Sequence, residues 1–365
     1  MRVSIKDIAK VAGVSHSTVS RALADSPLVK AETKARIQRL AQEMGYTPDA
    51  IARSLVTQQT RTVGVVVTTI TDPFIAEVVQ GIEDAAHEND YAVILSSSAA
   101  ESDREIAAVE MLRAKRVDSV IVTSSRVGAL YLEHLERIGV PVVLVNNHNE
   151  KSGRYTFSVS VDNQHGGCLA TRHLIEGGHR RIAYVSGPAD HSDDADRLAG
   201  YRQALDEAGI AFDPALVVLG NGRLDGGERA LHALRSLDRP PTAVFCYNDM
   251  TAIGLLSAAR GARLSVPEDL AVVGFDDIPL APHINPCLTT IAQPQRDMGR
   301  QAMNMALALM IPDDSTTPVS DVVVKGKLIV RESSGGRSKA NSRSKTTNLK
   351  SKTTNLKSEA MTGGF

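Results

Sequence analysis

The stretch that decides the fold is "IAKVAGVSHSTVSRAL", residues 8–23. Its single glycine, Gly13, can adopt a positive φ at little cost and therefore suits a tight turn. Upstream of this stretch, Ser4 and Asp7 have the spacing of a capping box for a first helix. Ser15 can cap a second short helix immediately after the turn. Two short helices joined by a glycine turn predict a helix-turn-helix.

Two further segments follow the helix-turn-helix. Apolar residues recur at helical spacing between about Glu32 and Met44, and Gly45 can end that third helix. We therefore place an all-α head at residues 1–46. Residues 47–61 then hold a short hinge helix and a linker. A helix this short is marginal alone in water, so it needs a partner to form.

The second helix of a helix-turn-helix enters the DNA major groove with its N-terminal residues facing the base edges. Here that helix carries hydroxyl side chains and then Arg21, which can donate two hydrogen bonds to one guanine. Small hydroxyl groups reach phosphates and base edges without blocking the approach of the helix. A serine-rich helix is also typical of a solvated surface, so a plain polar face is the alternative.

The charge distribution separates the head from the rest of the chain. Residues 1–61 hold ten Lys or Arg against five Asp or Glu, and residues 336–365 hold seven against Glu359, although the net charge of the whole chain is −1. The part between these two segments is therefore strongly acidic. A basic head on an acidic core favours a head that meets an anionic surface, although chance surface charge gives the same count.

From Thr62 onward, short apolar runs alternate with amphipathic segments. The runs "TVGVVV", "SVIVTS" and "PVVLVN" form one series, and "RIAYVSG", "TAVFCYN" and "LAVVGFD" form another. Continuous apolar strands between helices predict parallel sheets that are covered on both faces. The sequence thus predicts an α/β core at residues 62–333 with two doubly wound parallel-sheet subdomains. We place the first subdomain at 62–160 plus 294–322 and the second at 161–293 plus 323–333.

The C-terminal residues 334–365 have a different composition. They repeat "SKTTNLK" at 344–350 and 351–357, and they are basic and poor in bulky apolar residues. This composition predicts a disordered tail.

The sequence disfavours several classes of protein. The three cysteines, Cys168, Cys246 and Cys287, lie far apart and form no CxxC motif, which fits a reducing compartment. No long uncharged apolar run predicts a membrane span, so we expect a cytoplasmic protein without a membrane partner. No nucleophile–base or cofactor motif indicates an enzyme. The acidic run at 190–196 lacks the glycine and the final glutamate of a calcium loop, so no metal is expected.

Longer motifs carry a resemblance to a known family. The head segments "IKDIAKVAGVSHSTVSRAL" and "ETKARIQRLAQEMGYTPDAIARSL", with the core segments "RPPTAVFCYND", "GFDDIP", "LTTIAQP" and "VRESS", resemble the lactose-repressor (LacI/GalR) family of bacterial transcription regulators. The resemblance covers about residues 2–333, and the purine-repressor branch is among the closer ones by motif. It implies a helix-turn-helix head, a hinge helix and a periplasmic-binding-protein-like core. It also implies a homodimeric repressor that binds palindromic operator DNA under allosteric control by a small effector.

The resemblance assigns DNA contacts to individual positions. His16 and Ser17 match the variable base-reading residues, and Arg21 matches an arginine that contacts guanine in the major groove. Ala52 and Leu55 match hinge residues at the minor groove, where the leucine wedges apart a base step and bends the duplex. For His16 an exposed bystander, and for Leu55 ordinary packing, are the alternatives. The matching phosphate contacts are Ser4, Ser15 and Ser20.

In the core, the resemblance implies an effector cleft at the carboxyl ends of the strands, where open sheets bind ligands. An arginine there can form a fork with a ligand oxygen. For Asp276 and Asn248 the alternative is a cap of a turn or helix, and for Phe74 it is a place in the core. The candidate effector-binding residues are Asp72, Phe74, Asn146, His191, Asp193, Arg197, Asn248 and Asp276.

The variable positions of the cleft favour one class of effector. Gly222 stands where several relatives place an aromatic ring that stacks on the effector, and His191 and Asp193 replace the arginine and threonine of the purine repressor. A sugar or sugar derivative therefore fits the polar set better than a purine. A purine-like ligand and a protein co-regulator are the alternatives for the same DNA role. A solute-binding module and an enzyme are the alternatives from other classes of protein.

Overall fold

A computed structural model describes residues 3–47, 59–125, 127, 140–147, 156–188, 192–310 and 319–335. The chain divides into two compact units. The small unit is Met1–Thr62 with Arg116–Asp118, and the large unit is the rest of the chain. The Asp118 carboxylate accepts hydrogen bonds from the backbone N–H groups of Thr60 and Arg61, both at 2.8 Å, which ties residues 116–118 to the small unit.

The described part of the small unit contains the three predicted helices of the head, which are α1 (Ile5–Ala12), α2 (His16–Leu23) and α3 (Ala31–Glu43). Gly13 has a φ of 66° at the end of α1, as the turn requires. Ile8, Val19 and Ile37, one from each helix, are fully buried in a core of the head's own. The three short helices therefore stabilise one another by burying one face each. The predicted hinge helix falls within residues 48–58, outside the described residues.

The first two helices begin at the predicted caps. The backbone N–H of Ser4 and its hydroxyl both donate to Oδ2 of Asp7, at 2.9 Å and 2.7 Å. The hydroxyl oxygen of Ser15 accepts a hydrogen bond from the backbone N–H of Thr18 at 3.1 Å. Such contacts satisfy backbone groups that would otherwise be unpaired at a helix start.

Among the described residues, the large unit contains two sheets, as predicted, and each of them has six strands. The strands of the first sheet are β1 (Thr62–Val67), β2 (Ala92–Ser97), β3 (Ser119–Thr123), β4 (Val142–Val145), β5 (Thr156–Val161) and β11 (Val322–Val324). Their order is β11-β5-β4-β3-β1-β2, and the pairings from β1 to β11 are parallel. The helices beside this sheet are α4 (Pro73–Glu88), α5 (Ser102–Ala114) and α10 (Gln295–Met310).

The strands of the second sheet are β6 (Ile182–Val185), β7 (Val217–Val218), β8 (Ala243–Cys246), β9 (Ala271–Asp276), β10 (Thr289–Ala292) and β12 (Lys327–Ile329). Their order is β12-β10-β9-β8-β6-β7, and each pairing is parallel except that of β10 with β12. The helices of this half are α6 (Asn163–Glu176), α7 (Ser192–Glu207), α8 (Leu224–Arg235) and α9 (Asp249–Gly261). Short 3-10 turns lie at Pro214–Leu216 and Glu332–Ser334.

One strand, β5, was not predicted from the sequence. Its segment "TFSVSV" alternates polar and apolar residues, yet it lies inside the sheet between β4 and β11. Ser158 and Ser160 are buried there. The backbone N–H and the hydroxyl of Ser158 both donate to Oδ1 of Asp321, at 2.6 Å and 3.1 Å. A partner that is distant in sequence thus makes the burial of a polar residue acceptable.

The boundary between the two subdomains also differs from the prediction. The predicted break between residues 322 and 323 falls inside β11, which pairs as a whole with β5 in the first sheet. The chain changes sheets between β11 and β12, because β12 pairs with β10 in the second. Among the described residues, no helix is long and apolar enough to cross a membrane.

Candidate functional sites

The first candidate site is the outer face of α2 in the head. His16, Ser17, Ser20 and Arg21 are all exposed, whereas Val19 on the opposite face is buried. In the part of the chain that the structure describes, the side chains of His16, Ser20 and Arg21 form no hydrogen bond or ion pair. The helix therefore offers unused donors and acceptors to a partner outside the chain, as a helix that reads DNA must.

Hydroxyl groups order the beginning of α2. Oγ of Ser15 lies 2.8 Å from Oγ of Ser17 and 2.8 Å from Oγ1 of Thr18. All three side chains sit at the N-terminus of the helix, where unpaired backbone N–H groups favour negative charge. This end of α2 is therefore suited to a phosphate group.

Ser4 differs from the other two predicted phosphate contacts. Its hydroxyl donates to Asp7, and the hydrogen bonds from Ser4 hold the pKa of that carboxyl below its ordinary value. The proton that a phosphate would accept is thus already used, and a negative charge lies beside it. The geometry favours a role for Ser4 in starting α1.

The second candidate site is a cavity of about 500 Å³ in the large unit, here called the cleft. Residues that follow strands of both sheets form its walls, such as Ser124 after β3 and Tyr247 after β8. His191 lies outside the described residues. The structure brings the other predicted effector residues together in this cleft: Asp72, Phe74, Asn146, Asp193, Arg197, Asn248 and Asp276.

Arg197, on α7, is held rigidly at the cleft. Its side chain is only 2% exposed. Its Nε donates to Oδ1 of Asn163 at 2.9 Å, and its Nη1 donates to the backbone oxygen of Tyr247 at 2.6 Å. The guanidinium carbon lies 3.7 Å from the ring centroid of Phe275 and 4.6 Å from that of Tyr247. These contacts fix the guanidinium and leave other N–H groups for a ligand oxygen.

Asp276, at the end of β9, is the acidic counterpart of Arg197. Nε2 of Gln293 donates to its Oδ1 at 2.6 Å. Burial raises the pKa of Asp276 well above its usual range, while Arg197 acts in the opposite direction. Burial alone would lower the pKa of Arg197, but Asp276 and Asp193 raise it, so the guanidinium stays charged. Both side chains line the cleft, where they can offer an acceptor and a donor to a ligand.

Asn146, directly after β4, carries an unpaired acceptor. The residue is 5% exposed, and among the described residues its Oδ1 has no hydrogen-bond partner. Leaving a buried amide oxygen unpaired costs about 1–3 kcal/mol. A ligand in the cleft that donates a hydrogen bond would remove this cost.

Asn248 has a structural task as well as a place in the cleft. Its Oδ1 accepts hydrogen bonds from the N–H (2.9 Å) and the hydroxyl (2.7 Å) of Thr251, which caps α9. Its Nδ2 donates to the backbone oxygen of Gly222 at 3.0 Å. The cap that the sequence offered as an alternative role is therefore present. One N–H of the amide group is left for a ligand.

The beginning of α4 forms part of the opposite wall. Asp72 caps the helix by accepting the N–H of Phe74 at 2.9 Å; burial raises the pKa of Asp72, and this hydrogen bond lowers it. Phe74 is 5% exposed and belongs to the main hydrophobic core. Its ring is thus a packed part of the wall and not an open platform on which a ligand ring could stack.

Other residues at the cleft were not singled out by the sequence. They include Thr68, Tyr247 and Arg223. Thr68 follows β1 directly, and Tyr247 and Arg223 lie in the strand-end segments "CYND" and "GNGRLD". Position after a strand was the available signal, but it does not show which side chain faces the cavity.

A head with a helix-turn-helix reading face, and a two-sheet core with a polar cleft, define the class of ligand-responsive DNA-binding regulators. Comparisons with known proteins identify the family. Residues 4–49 match the family described as "Bacterial regulatory proteins, lacI family", and residues 171–334 match the "Periplasmic binding protein-like domain".

Individual relatives agree with this assignment. The chain is 36% identical to the repressor PurR of Vibrio atlanticus (strain LGP32) over 305 residues, which are 83% of this chain and 91% of PurR. It is 37% identical to the repressor CytR of Escherichia coli (strain K12) over 307 residues, which are 84% of this chain and 89% of CytR. The lac repressor dimer bound to operator and an anti-inducer is 26% identical with a TM-score of 0.81, and the match covers 91% of this chain and 99% of that one.

The chain belongs to the LacI family of bacterial regulatory proteins. It is a DNA-binding transcription regulator under effector control, with the head and core that the resemblance implied. Members of this family are transcription regulators and not enzymes.

Proposed function

We propose that this regulator is a homodimeric repressor that reads a palindromic operator and responds to a sugar or sugar derivative. The observation that carries the DNA half of the proposal is the exposed face of α2, where His16 and Arg21 have donors and acceptors that no described residue uses. His16, Ser17 and Arg21 contact base edges in the major groove. Ser15 and Ser20 contact phosphates, with Ser4 in a smaller role because Asp7 holds its hydroxyl.

The hinge completes the DNA contacts in this proposal. Ala52 and Leu55 face the minor groove at the operator centre, and Leu55 unstacks a base step. Two hinge helices that meet on DNA would bury against each other the surface that each helix leaves exposed when it is alone. Binding is then coupled to helix formation, so that any change in the spacing of the two cores alters operator affinity.

The lining of the cleft supports a hydroxyl-rich effector. Arg197 and Asp276 offer a donor and an acceptor in the same cleft, and Oδ1 of Asn146 on the other wall is an acceptor that no donor among the described residues reaches. A polyhydroxylated ligand can satisfy all three groups. A purine would need a face on which to stack, and Phe74 is packed in the core.

An exposed edge of the first sheet supports the homodimer. β2 is the edge strand, and its side chains Ile94 and Leu95 are 37% and 43% exposed. Met111 on α5 is similarly exposed. An apolar edge strand that stays uncovered is an aggregation hazard, and a second copy of the chain would cover it.

The DNA half of the proposal is tested by selection from a random pool. Full-length protein should enrich a near-palindromic duplex, and its affinity should fall steeply as salt rises, because bound phosphates release counterions. Equal affinity for every duplex, or a flat salt response, would refute operator reading.

The effector half is tested by thermal unfolding of the full chain with separate additions of free sugars, sugar derivatives and purines. A ligand at about 100 times its Kd should add about 2.7 kcal/mol to the free energy of unfolding. The same ligand should change the affinity for the selected duplex. Stabilisation by a purine and by no sugar would overturn the sugar assignment.

A further inference from the structure

The basic residues of α3 in the head do not all behave alike. Lys34, Arg36 and Arg39 lie on this helix, and in a basic DNA-binding head each would ordinarily be taken as a phosphate contact. Two of them, however, have partners within the head. We propose that α3 positions the reading helix by placing one cation at the C-terminal end of each of the two preceding helices.

We call each of these contacts between a cation of α3 and the end of a preceding helix a brace. The first brace joins α3 to the end of α1. Nη2 of Arg36 donates to the backbone oxygen of Ala12 at 2.9 Å. Ala12 is the last residue of α1, and its carbonyl points past the end of the helix, where no N–H of the same helix can reach it. The next residue, Gly13, makes the turn into α2. The contact therefore fixes the turn that sets the angle between α1 and α2.

The second brace joins α3 to the end of α2. Nζ of Lys34 lies 2.6 Å from Oδ1 of Asp25 and donates to the backbone oxygen of the same residue at 3.1 Å. Asp25 has a φ of 54°, a left-handed conformation that is uncommon for non-glycine residues, although Asp adopts it more readily than most. The side chain of Lys34 is 20% exposed, whereas that of Asp25 is 79% exposed. The lysine stem is thus packed while its charge holds the turn.

This second turn lies directly beside the reading residue Arg21. The backbone N–H of Ser26 donates to the backbone oxygen of Arg21 at 3.0 Å, and that of Asp25 donates to Ala22 at 3.3 Å. These bonds close the C-terminal end of α2. A cation at this end also interacts favourably with the helix dipole. Lys34 therefore acts on the reading helix through the backbone next to Arg21, and it is a positioning residue.

The charge of a brace and the charge of a phosphate contact can be distinguished in solution. The plot of log K against log salt has a negative slope. Losing one phosphate contact in each protomer of a dimer reduces the magnitude of this slope by about 1.8. Losing a brace leaves the phosphate contacts in place but lets the reading helix move. It should therefore lower the affinity for the selected duplex relative to a random one.

The experiment compares full-length Arg36→Met and Lys34→Met with the wild type. The probes are the duplex that wild type selects from a random pool and a random duplex of equal length, at a series of salt concentrations. For each variant we expect the ratio of the two affinities to fall about threefold to tenfold, with a nearly constant salt slope. Arg39→Met, which removes a charge from the same helix, should leave the ratio unchanged. Arg36→Lys, which keeps a charged donor, should have most of the wild-type affinity ratio.

The inference rests on the DNA-binding role of the head, and the two can fail separately. If wild type selects no duplex, operator reading itself fails and the inference with it. A second outcome is that wild type selects a duplex, the salt slope of the variants loses about 1.8 in magnitude, and the ratio of the affinities for the selected and the random duplex stays constant. Lys34 and Arg36 are then phosphate contacts and the inference is wrong. Unchanged ratio and slope also overturn it. Circular dichroism at the assay temperature checks folding, and Arg36→Gln replaces Arg36→Met if the latter is unfolded.

Discussion

Single residues of the same type have different tasks in this chain, depending on what surrounds them. Arg197 is enclosed, with its guanidinium packed on the ring of Phe275. Arg21 is exposed, and within the described chain its side chain has no partner. Arg36 donates to a backbone carbonyl of the head. The first is preorganised for a ligand, the second is available to DNA, and the third supports the fold.

Arg21→Ala should remove one base contact and leave the head folded, because the side chain is exposed. We expect specific binding to weaken by about 1–3 kcal/mol and the preference at one base pair of each half-site to relax. Affinities for a set of duplexes with single base changes measure this. An equal loss for every duplex would instead assign Arg21 to the phosphate backbone.

Asp249 is a second residue whose surroundings decide its behaviour. It begins α9 and is fully buried, with its carboxylate accepting hydrogen bonds from the hydroxyl of Thr290 (2.5 Å) and the backbone N–H of Ile278 (2.9 Å). Burial raises the pKa of Asp249 to about 7, although these hydrogen bonds act in the opposite direction. At pH values between the ordinary pKa of an aspartate and about 7, Asp249 therefore holds a proton in the folded chain that it has lost in the unfolded chain.

The free energy of unfolding should consequently fall as pH rises through 7, because unfolding then releases a proton. For this one group the fall between pH 6 and pH 8 is about 1 kcal/mol. Asp249→Asn should reduce the fall, because the amide cannot titrate. Urea unfolding of both proteins at the two pH values measures the effect. Identical pH dependence in wild type and variant would contradict it.

Among the elements, α6 and α7 cross so closely that two glycines form the contact. A Cβ on Gly167 would lie 2.4 Å from the backbone oxygen of Arg197, and one on Gly200 would lie 2.1 Å from that of Gln164. Neither distance is compatible with a side chain at the unchanged crossing. Because Gly167 faces the backbone of Arg197, this crossing also determines where the guanidinium enters the cleft.

Gly167→Ala should therefore push α7 away and destabilise the large unit by about 1–3 kcal/mol. Gly261→Ala is a matched control, since it lies at the end of α9 and a Cβ there meets nothing within 4 Å. We expect that control to be neutral or stabilising by up to about 1 kcal/mol. Urea unfolding compares the two variants. Equal stability of both would mean that the crossing relaxes freely.

In the proposed function, operator bending depends on the hinge, and Leu55 lies outside the described residues. Leu55→Ala should weaken operator binding and reduce the bend while the fold stays intact, because a smaller apolar side chain unstacks a base step less well. Energy transfer between labels at the two duplex ends reports the bend. If affinity and bend both stay at the wild-type level, Leu55 is a packing residue and not a wedge.

At the scale of the whole molecule, the proposed homodimer is what would link the core to operator binding. Leu95→Arg places a charge on the exposed edge strand β2, where the proposed homodimer would bury an apolar side chain. We expect sedimentation to show a shift toward monomer and operator affinity to fall together, since a palindrome requires two heads. Leu280→Arg changes another exposed leucine and serves as a comparison. A variant that stays dimeric would exclude the β2 edge as the interface.

Sequence patterns predicted most helices and strands, because these elements depend on residues that are close together in the sequence. The apolar runs became parallel strands, and the caps Ser4 and Ser15 begin the helices that they were expected to begin. β5 was missed because its serines resemble those of a loop, and the partner of Ser158 is Asp321, far along the chain. Phe74 was a candidate platform, but only packing against the core shows that its ring is part of the wall.

The sequence by itself determined the kind of protein: a helix-turn-helix head, an α/β core and the strand-end segments among which the cleft residues lie. These follow from residue spacing, turn residues and apolar periodicity, which act over a few positions. Only the tertiary structure decided which side chains are free and which are used. It pairs Asn248 with Gly222 and Lys34 and Arg36 with the ends of two helices, and among the described residues it gives Oδ1 of Asn146 no partner. Such partners are brought together by packing of distant segments, and no local pattern records them.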